Sequence, residues 1–249
     1  MRVAITGSRG FIGSHLKTRL EKDGHEIIEW DLRQDPPKYV SDFKPDEISY
    51  CIHLAAYADV RASLKDPETY WINNVENTTR LQLICNHNNI PLLYASSSCV
   101  HKWWLSPYGT SKKVNEETAY PGQVGLRFTT VYGDGARESM LIGKLIDGTI
   151  GYLTKHVRDF THVSDVVEAI VLLMSKDIRR LKPVYDIGTG VGNVVEDLGI
   201  LAGWEGIEVT KGDQCEAQDN TADITEMKAL GWTPKVDVKD YLITKTIPF

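Results

Sequence analysis

Tyr108 and Lys112 lie four residues apart in the segment Tyr-Gly-Thr-Ser-Lys, at the beginning of a predicted helix. Residues at this spacing share one face of an α-helix, so the phenol and the ammonium group are expected side by side. A tyrosine with an ordinary pKa of about 10 is a poor base at neutral pH, and a neighbouring positive charge favours its phenolate. The pair therefore predicts proton transfer to and from a bound substrate, with Tyr108 as the base.

Three consecutive serines, Ser96, Ser97 and Ser98, come shortly before this pair and directly after a predicted strand. One of their hydroxyl groups is expected to hold the substrate oxygen beside Tyr108. Turn formation and helix capping are equally good reasons for serines at the end of a strand. On its own, the serine run leaves both interpretations open.

The elements that must position these residues alternate along the chain. Apolar stretches predict strands at 2–6, 26–30, 50–54, 91–95, 125–128 and 183–187. Stretches with helical periodicity predict helices at 11–23, 67–89, 108–119 and 163–175. Repeated β-α-β units of this kind predict an α/β fold with a parallel sheet and helices on both faces.

The predicted sheet domain comprises residues 1–128 and 159–187. The polar segment 33–44, which contains Pro36-Pro37, has room for only a brief strand. Residues 129–158 and 188–249 are less regular and are assigned to a small substrate-binding lobe, mostly C-terminal. This lobe is expected at the carboxyl edge of the sheet, where open α/β sheets bind ligands.

Gly7, Gly10 and Gly13 stand between the first predicted strand and the first helix. In a dinucleotide-binding loop, the first glycine allows a tight turn, the second admits the pyrophosphate, and the third lets helix and strand pack closely. The N-terminus of the helix then faces the phosphates. Asp31, after the second strand, is placed to accept hydrogen bonds from the adenosine ribose. These features predict a Rossmann-type, doubly wound sheet that binds a dinucleotide.

The predicted cofactor is NAD, because the carboxylate of Asp31 would repel the 2′-phosphate of NADP. Arg9 and Arg33 favour the opposite choice, since either guanidinium group can pair with such a phosphate. Asp42 is a candidate for a contact with the adenine, and a solvated loop carboxylate is an equally good interpretation. Lys112 is expected to hold the nicotinamide ribose in addition to its effect on the neighbouring phenol.

Composition excludes several classes of protein. The 249-residue chain has a formal net charge of −6 and therefore lacks the broad basic face that nucleic-acid binding needs. No apolar run approaches the roughly 20 residues of a membrane-spanning helix, and the first residues predict a strand rather than a signal peptide. The four cysteines are scattered, without metal-ligand spacing. A cytoplasmic protein with reduced thiols and no metal is expected.

Together these motifs resemble the extended short-chain dehydrogenase/reductase family, specifically its NAD-dependent nucleotide-sugar epimerases and dehydratases. The similarity is greatest to the UDP-glucuronate and UDP-glucose 4-epimerases. Beyond the features above, it includes HLAA (53–56), NNV (73–75), RFTTVYG (127–133), RDFTHV (158–163), YDIGTG (185–190), AD (222–223) and LGW (230–232). It thus extends over nearly the whole chain, with a shortened substrate lobe.

The resemblance implies a set of site residues. The catalytic residues are Ser97, Tyr108 and Lys112, where Ser97 is found by counting back from Val100. The cofactor-binding residues are Gly7, Arg9, Gly10, Phe11, Ile12, Gly13, Asp31, Leu32, Asp42, Leu54, Ala55, Ala56, Asn74, Tyr108 and Lys112. The substrate-binding residues are Ser97, Ser98, Thr130, Arg137 and Arg158.

Two of these arginines have alternative interpretations. Arg158 matches an arginine that grips a substrate phosphate, a task that suits a bidentate guanidinium group, and the alternative is a surface ion pair. Arg137 is placed to reach a sugar carboxylate or a phosphate, and the alternative is a solvated loop arginine.

The resemblance also separates possible reactions. The 4,6-dehydratases carry an Asp-Glu pair after the catalytic serine, whereas Ser98 and Cys99 stand there in this chain, so dehydration is disfavoured. Cys99 follows two serines as in GDP-fucose synthases, but their histidine partner is missing, so a small buried residue is preferred. Trp103 and Trp104 lie in a short approach to Tyr108. They either cover the pocket or stack on a base or sugar, and hydrophobic packing, for example at a subunit contact, is an equally good interpretation.

The preferred hypothesis is an NAD-dependent 4-epimerase of a nucleotide sugar. Tyr108 would take the proton of the C4 hydroxyl while Ser97 and Thr130 orient its oxygen. The hydride would pass to NAD and return to the opposite face of a transient 4-keto sugar. Alternatives are a net oxidoreductase, acting on a keto-sugar or a small alcohol such as threonine, and a non-catalytic dinucleotide-binding protein. By the same resemblance, helices 67–89 and 108–119 are expected to pair in a homodimer.

Overall fold

The computed structural model describes residues 1–246. The strands are β1 (Arg2–Thr6), β2 (Glu26–Trp30), β3 (Tyr50–His53), β4 (Leu92–Ser97), β5 (Gln123–Phe128), β6 (Thr130–Tyr132), β7 (Leu153–Thr154), β8 (Val157–His162), β9 (Val184–Ile187), β10 (Gly192–Val194) and β11 (Val209–Thr210). The helices are α1 (Phe11–Lys22), α2 (Val60–Lys65), α3 (Pro67–Tyr70), α4 (Asn77–His87), α5 (Pro107–Glu117), α6 (Leu141–Asp147), α7 (Val163–Met174), α8 (Val195–Leu201), α9 (Thr225–Ala229) and α10 (Val238–Thr246).

Six parallel strands form the main sheet in the order β2-β1-β3-β4-β5-β9. From β1 the chain moves outward to β2 and then returns to the other side of β1 to form β3. The strand order therefore reverses between β1 and β3, and a crevice opens there at the carboxyl ends of the strands. The predicted Rossmann-type α/β fold is confirmed.

Alternating strand residues build a core on each face of this sheet, because successive side chains of a strand point in opposite directions. Val3 and Ile5 belong to the core that contains Leu16 of α1 and the apolar face of α7. Ala4, between them, belongs to the core that contains Leu81 of α4. The sheet is therefore covered by helices on both faces, as a doubly wound fold requires.

Two segments differ from the predicted elements. The helix expected at 67–89 runs without a break from Pro67 to His87, but it contains a π-helical turn at Trp71–Glu76 between α3 and α4. The brief strand expected within 33–44 is replaced by a single 3₁₀ turn at Val40–Asp42. As a result, β2 is the outermost strand on its side of the main sheet.

A second layer lies beyond the carboxyl end of β5, which leads almost directly into β6. A three-stranded sheet has the order β10-β8-β6, and β7 pairs with β11. Their apolar core contains Tyr132, Phe160, Leu198 and Leu242. β8 lies in this smaller sheet, and α7 returns the chain to the main sheet. Among the described residues, no helix has the length and apolar character to cross a bilayer, and no cluster of three or more His, Cys, Asp or Glu side chains could hold a metal ion.

Candidate active site

Tyr108 and Lys112 lie in the first two turns of α5, with side chains directed into the protein. Ser106 caps this helix, since its Oγ accepts a hydrogen bond from Gly109 N at 3.0 Å. Pro107 follows in the first turn, where a missing N–H group is tolerated. Tyr108 and Lys112 are only 8% and 2% exposed. The helix start is therefore fixed where the two side chains leave it.

Ser97 lies beside the phenol. β4 continues through Ser97, two residues beyond the predicted end of the strand. The Ser97 hydroxyl lies close enough to the phenol to lower the pKa of Tyr108, and Ser97 Oγ accepts a hydrogen bond from Cys99 N at 3.2 Å. Ser96, the preceding residue, instead donates to Glu116 Oε1 at 2.6 Å. Of the serines in the strand, Ser97 is thus the one that faces Tyr108.

Lys112 reaches beneath the carboxyl edge of the sheet. Its Nζ donates a hydrogen bond to the carbonyl oxygen of Ala95 at 2.9 Å, and burial lowers its pKa to about 8. Burial and the charge of Lys112 lower the pKa of neighbouring His53 to about 3. The His53 ring lies between Thr6 Oγ1 at 2.6 Å and Thr78 Oγ1 at 2.9 Å. The sheet thus fixes one of the three N–H groups of Lys112.

The acid-base state of Tyr108 is governed by burial, which raises its pKa. Proximity to Cys99 raises the pKa further, whereas the Ser97 hydroxyl and the charge of Arg137 lower it. Burial favours the neutral form of Lys112 as well. The sequence predicts that the ammonium group stabilises the phenolate. In the folded chain, desolvation is the largest influence on the pKa of the phenol, so the phenolate requires additional positive charge in the cleft.

Asn74, implied as a cofactor contact, has protein partners at both ends of its amide. Its Oδ1 accepts a hydrogen bond from Tyr57 N, and its Nδ2 donates to Tyr57 O, both at 2.9 Å. Nδ2 also lies 3.2 Å from Ser111 Oγ. The side chain is fully buried within the π-helical turn. In this structure Asn74 therefore ties the loop after β3 to the helix that carries Tyr108.

The glycine loop has the close packing that its sequence predicts. Gly7 has a φ of +70°, and a Cβ atom added there would lie 2.8 Å from Ala55 N. A Cβ atom at Gly13 would lie only 2.0 Å from Gly7 O. Gly10 caps α1 with an extended conformation. The N–H groups of the first turn of α1 are thus presented to the crevice between β1 and β3, as pyrophosphate binding requires.

Apolar residues border this loop. Phe11, Ile12 and Leu54 are partly buried against the core. Leu54 N donates to Thr6 O at 3.0 Å, and Ala55 N lies 3.3 Å from Thr6 Oγ1. The stretch containing Leu54, Ala55 and Ala56 therefore runs along the end of β1, beside Gly7.

Asp31 lies at the end of β2 and is 7% exposed. Its Oδ2 accepts a hydrogen bond from Arg9 N at 2.9 Å, and its Oδ1 accepts one from Arg33 N at 2.8 Å. The guanidinium group of Arg9 instead donates to the main-chain carbonyl oxygen of Arg33 at 2.9 Å, and the guanidinium group of Arg33 donates to that of Arg9 at 2.6 Å. The carboxylate is thus held by main-chain N–H groups, in position to accept from ribose hydroxyls. Leu32 and Asp42 are exposed on the adjoining turns.

Ser98 and Thr130 are brought together by Asn220, which the sequence did not single out. Asn220 Nδ2 lies 3.4 Å from Ser98 Oγ and 3.5 Å from Thr130 Oγ1. Arg137 is exposed on the loop after β6, and its charge reaches Tyr108. A single amide in a turn-rich stretch has no pattern that would mark it, so only the fold reveals Asn220.

Arg158 is already paired with a carboxylate of the chain. Its Nη2 donates to Glu216 Oε2 at 2.8 Å, and its Nη1 donates to the carbonyl oxygens of Val157 and Ala217 at 2.9 and 2.8 Å. The side chain is 11% exposed, so this is a largely buried ion pair rather than a surface one. Arg61 of α2, which the sequence also did not single out, approaches the same carboxylate, with its Nε 3.2 Å from Glu216 Oε1.

Asp159 organises the second layer. Its Oδ1 accepts hydrogen bonds from Thr189 N and Oγ1 at 2.8 and 2.7 Å, and its Oδ2 accepts from Gly190 N and Ala222 N at 2.9 and 3.2 Å. A Cβ atom at Gly188 would lie 2.6 Å from Oδ2. This fully buried carboxylate joins β8 to the turn after β9 and to the segment that begins α9. The motifs RDFTHV, YDIGTG and AD contain these residues, but only the structure shows that they bind each other.

The two tryptophans before α5 lie at a surface. The turn that carries them packs on the helix so closely that a Cβ atom at Gly109 would lie 2.9 Å from Trp103 O. The rings of Trp103 and Trp104 meet edge to face, with centroids 6.0 Å apart. Trp104 is 62% exposed and lines a groove with Leu64 and Trp71. The ring of Trp104 therefore contributes to an exposed apolar surface beside α5.

Comparisons with known proteins agree with this architecture. The sequence profile described as the NAD dependent epimerase/dehydratase family matches residues 3–188. Protein CapI of Staphylococcus aureus is 32% identical, over 71% of this chain and 70% of its own length. A UDP-glucose 4-epimerase of Lactobacillus helveticus is 26% identical, over 98% and 95%. The solved structure of MoeE5 in complex with UDP-glucuronic acid and NAD has a TM-score of 0.86 and 30% identity, over 99% of this chain and 98% of that one.

The profile spans the glycine loop, the serine at the end of β4 and the start of α5, and ends just after β9. It therefore contains the main sheet and every residue of the proposed catalytic group. The chain belongs to the NAD dependent epimerase/dehydratase family, whose cofactor is the one that the sequence predicts.

Proposed function

We propose that this protein is an NAD-dependent epimerase that inverts C4 of a UDP-hexose or UDP-hexuronate through a transient 4-keto sugar. The observation that carries the proposal is the buried group of Ser97, Tyr108 and Lys112 at the carboxyl edge of the sheet. The UDP-glucose 4-epimerase activity of the Lactobacillus relative and the ligands of MoeE5, UDP-glucuronic acid and NAD, support this choice of substrate.

The residues of the first crevice fit NAD. Gly7 and Gly13 leave no room for side chains in the turn between β1 and α1, and Gly10 caps α1 where the pyrophosphate is expected to approach the backbone. Asp31 offers carboxylate oxygens to the adenosine ribose, and Lys112 lies where it can hold the second ribose. When bound, NAD supplies a hydride acceptor that is regenerated in each turnover and a positive ring that favours the phenolate of Tyr108.

In the proposed reaction, Tyr108 accepts the proton of the C4 hydroxyl as the hydride leaves C4, and returns it when the hydride comes back to the opposite face. Ser97 and Thr130 orient the C4 oxygen, while Ser98 contacts the sugar. Burial of Tyr108 excludes water, so the proton stays between the enzyme and its substrate.

The second layer is proposed to hold the nucleotide sugar. The predicted division assigns residues 1–128 and 159–187 to cofactor binding and residues 129–158 and 188–249 to substrate binding, whereas residues 159–162 belong to β8 and so to the second layer. Residues 247–249 of the second part lie outside the described residues. Arg137 is exposed on this side and is a candidate partner for a sugar carboxylate.

Cys99 supports epimerisation over dehydration. The thiol stands close to Ser97, in the region where dehydratases of the resembling group carry an acid and a base. Burial raises the pKa of Cys99, although the hydrogen bond to Ser97 opposes this. A neutral thiol is a weak base for removing a proton from carbon.

Proton NMR on a panel of UDP-, GDP- and CDP-sugars, led by UDP-glucuronate, tests the proposal. We expect the C4 epimer to accumulate to equilibrium without a lasting change in absorbance at 340 nm. A steady absorbance change that matches substrate consumption would instead identify a net oxidoreductase of the same fold, such as a keto-sugar reductase or small-alcohol dehydrogenase. Absence of turnover with every sugar would contradict the proposed epimerase.

We also propose that the chain forms a homodimer through the surface of α4 and the preceding π-helical turn. Trp71 and Ile72 on that turn and Leu83 on α4 are exposed, and Trp104 continues the same apolar surface. Helix faces of this kind are typical of subunit contacts, whose centres are rich in aromatic residues.

A further inference from the structure

The main-chain N–H group of Tyr108 is satisfied by a residue of another helix. The first N–H groups of an α-helix have no partner within the helix and must find one elsewhere. The capping hydroxyl of Ser106 serves Gly109 N, whereas Tyr108 N donates to Ser63 Oγ of α2 at 3.2 Å. Ser63 is fully buried and donates its own proton to Val60 O at 2.6 Å, so its oxygen is left as an acceptor. This hydroxyl thus fixes the start of α5 at the residue that bears the phenol.

The carbonyl group of Tyr108 is engaged by a hydroxyl group as well. Tyr108 O accepts a hydrogen bond from Ser111 Oγ at 2.8 Å, and Asn74 Nδ2 donates to the same Oγ at 3.2 Å. Asn74 and Ser63 both lie in the segment 54–76, between β3 and α4. Both polar groups of the Tyr108 main chain are therefore linked to this one segment.

The ring of Tyr108 is contacted by a tyrosine of the same segment. The rings of Tyr70 and Tyr108 meet edge to face, with centroids 6.4 Å apart and an angle of 84° between their planes. Aromatic pairs prefer this arrangement to a face-to-face stack. Tyr70 is itself buried, so its ring lies against one side of the phenol within the protein interior.

The hydroxyl group of Tyr70 is committed to the loop that begins α2. It donates to Asp59 O at 2.7 Å and accepts from Asp59 N at 3.2 Å. Asp59 Oδ1 in turn caps α2, since it accepts a hydrogen bond from Ala62 N at 2.9 Å. Because α2 also carries Ser63, one residue, Asp59, connects the two contacts with Tyr108. The ring contact and the main-chain contact are thus fixed relative to each other.

We infer that Tyr70 and Ser63 are positioning residues for Tyr108: Ser63 fixes the helix start from which the phenol projects, and Tyr70 fixes the direction of its ring. The inference rests on the proposed function for the reaction that Tyr108 performs. A displacement of about 1 Å in a reacting group can cost a factor of about 10² in rate. A residue that acts only through Tyr108 can therefore govern turnover.

Substitutions at Tyr70 test the ring contact. Tyr70→Leu removes the ring and should lower kcat about tenfold or more, whereas Tyr70→Phe keeps the ring, loses only the hydrogen bonds to Asp59 and should lower kcat about threefold. KM for the sugar should stay within about twofold in both. Tyr185→Leu is the matched control, because Tyr185 is also buried and its hydroxyl also accepts a main-chain N–H group, that of Lys182, but on β9. It should leave kcat unchanged.

Substitution of Ser63 tests the main-chain contact. Ser63→Ala removes the acceptor of Tyr108 N and should lower kcat about tenfold, again with little change in KM. Ser175→Ala is its control, since the Ser175 hydroxyl also donates to a carbonyl group three residues earlier, Leu172 O, at 2.6 Å, but at the exposed end of α7. It should leave kcat unchanged. Thermal unfolding and NAD titration check that each variant folds and binds its cofactor.

Ultraviolet difference titration of the NAD-loaded protein is a second readout, and it does not depend on turnover. Burial raises the pKa of Tyr108, and proximity to Tyr70 raises it further. Ionisation of Tyr108, identified by comparison with Tyr108→Phe, should therefore shift to lower pH in Tyr70→Leu and stay unchanged in Tyr185→Leu.

The two readouts separate failure of the inference from failure of the proposed function. If the wild type turns over no sugar, the proposed reaction is rejected, and the ionisation of Tyr108 alone decides the inference. An unshifted ionisation in Tyr70→Leu would overturn it. So would unchanged kcat in both Tyr70→Leu and Ser63→Ala. If Tyr70→Leu does not fold, Tyr70→Phe replaces it, and an unchanged kcat in that variant and in Ser63→Ala would be equally decisive.

Discussion

The ammonium group of Lys112 donates a hydrogen bond to the carbonyl oxygen of Ala95 at 2.9 Å, in a position that is 2% exposed. Burial lowers its pKa from 10.5 to about 8, so the folded chain binds this proton less strongly than the unfolded chain. Between these two values the unfolded chain holds more protons, and stability therefore rises with pH. Below pH 8 both states are protonated, and the full cost of the buried charge is present.

Lys112→Met should make the protein without cofactor more stable at pH 7, by about 1–3 kcal/mol after the lost hydrogen bond is counted. The gain should shrink as the pH rises from 8 towards 10.5, because the wild type is relieved of its charge in that range. Turnover should be lost. Urea unfolding at pH 7 and pH 10 measures the difference. Lys113→Met, which removes the partner of Glu117 at the surface, should show no such gain, and a destabilised Lys112→Met protein at pH 7 would contradict the prediction.

Tyr108→Phe should reduce turnover by a factor of about 10² to 10⁴, because the proton acceptor is removed. NAD binding should remain, as the glycine loop and Asp31 are untouched. Tyr94→Phe is a matched control: Tyr94 is also buried, and its hydroxyl has no hydrogen-bond partner within residues 1–246. NMR assays that found equal rates for Tyr108→Phe and Tyr94→Phe would remove Tyr108 from the mechanism.

Asp31→Asn should weaken NAD binding by about tenfold or more, since hydrogen bonds from ribose hydroxyls to a charged acceptor are replaced by bonds to a neutral one. NADP should gain relative to NAD, because Arg9 and Arg33 flank the position and the repelling charge is gone. Titration of tryptophan fluorescence with NADH and NADPH compares the two. Asp46→Asn removes an exposed carboxylate nearby in sequence and should change neither affinity.

Leu83→Glu should convert the proposed dimer to a monomer, because a charge would be placed within the apolar surface of α4. Light scattering at micromolar concentration gives the mass directly. Ile200→Glu, on the exposed side of α8, makes the same substitution at a comparable exposure and should leave the dimer intact. A wild-type monomer under these conditions would exclude the dimer.

Features that depend on local sequence were predictable. The three glycines, Asp31 and the spacing of Tyr108 and Lys112 were predictable because each depends on geometry within one or two elements. The alternation of strand and helix segments predicts the parallel sheet. Contacts between distant segments were not predictable. Glu216 is 58 residues from Arg158, and Asn74 is 37 residues from Ser111. No periodicity relates such positions, and their meeting depends on how the second layer and the loop after β3 close over the site.

The π-helical turn at Trp71–Glu76 determines how the helix surface that carries Asn74 is oriented relative to the surface that carries Leu83. A π turn amounts to one extra residue in an α-helix, and one residue corresponds to about 100° of rotation. Asn74, within the turn, is locked to Tyr57 and Ser111, whereas exposed Leu83 follows it on α4. Deleting one residue from this turn would swing Leu83 about a third of the way round the helix relative to Asn74. The extra residue thus sets the angle between two surfaces of this helix, so that one surface faces the catalytic cleft and the other faces the proposed second subunit.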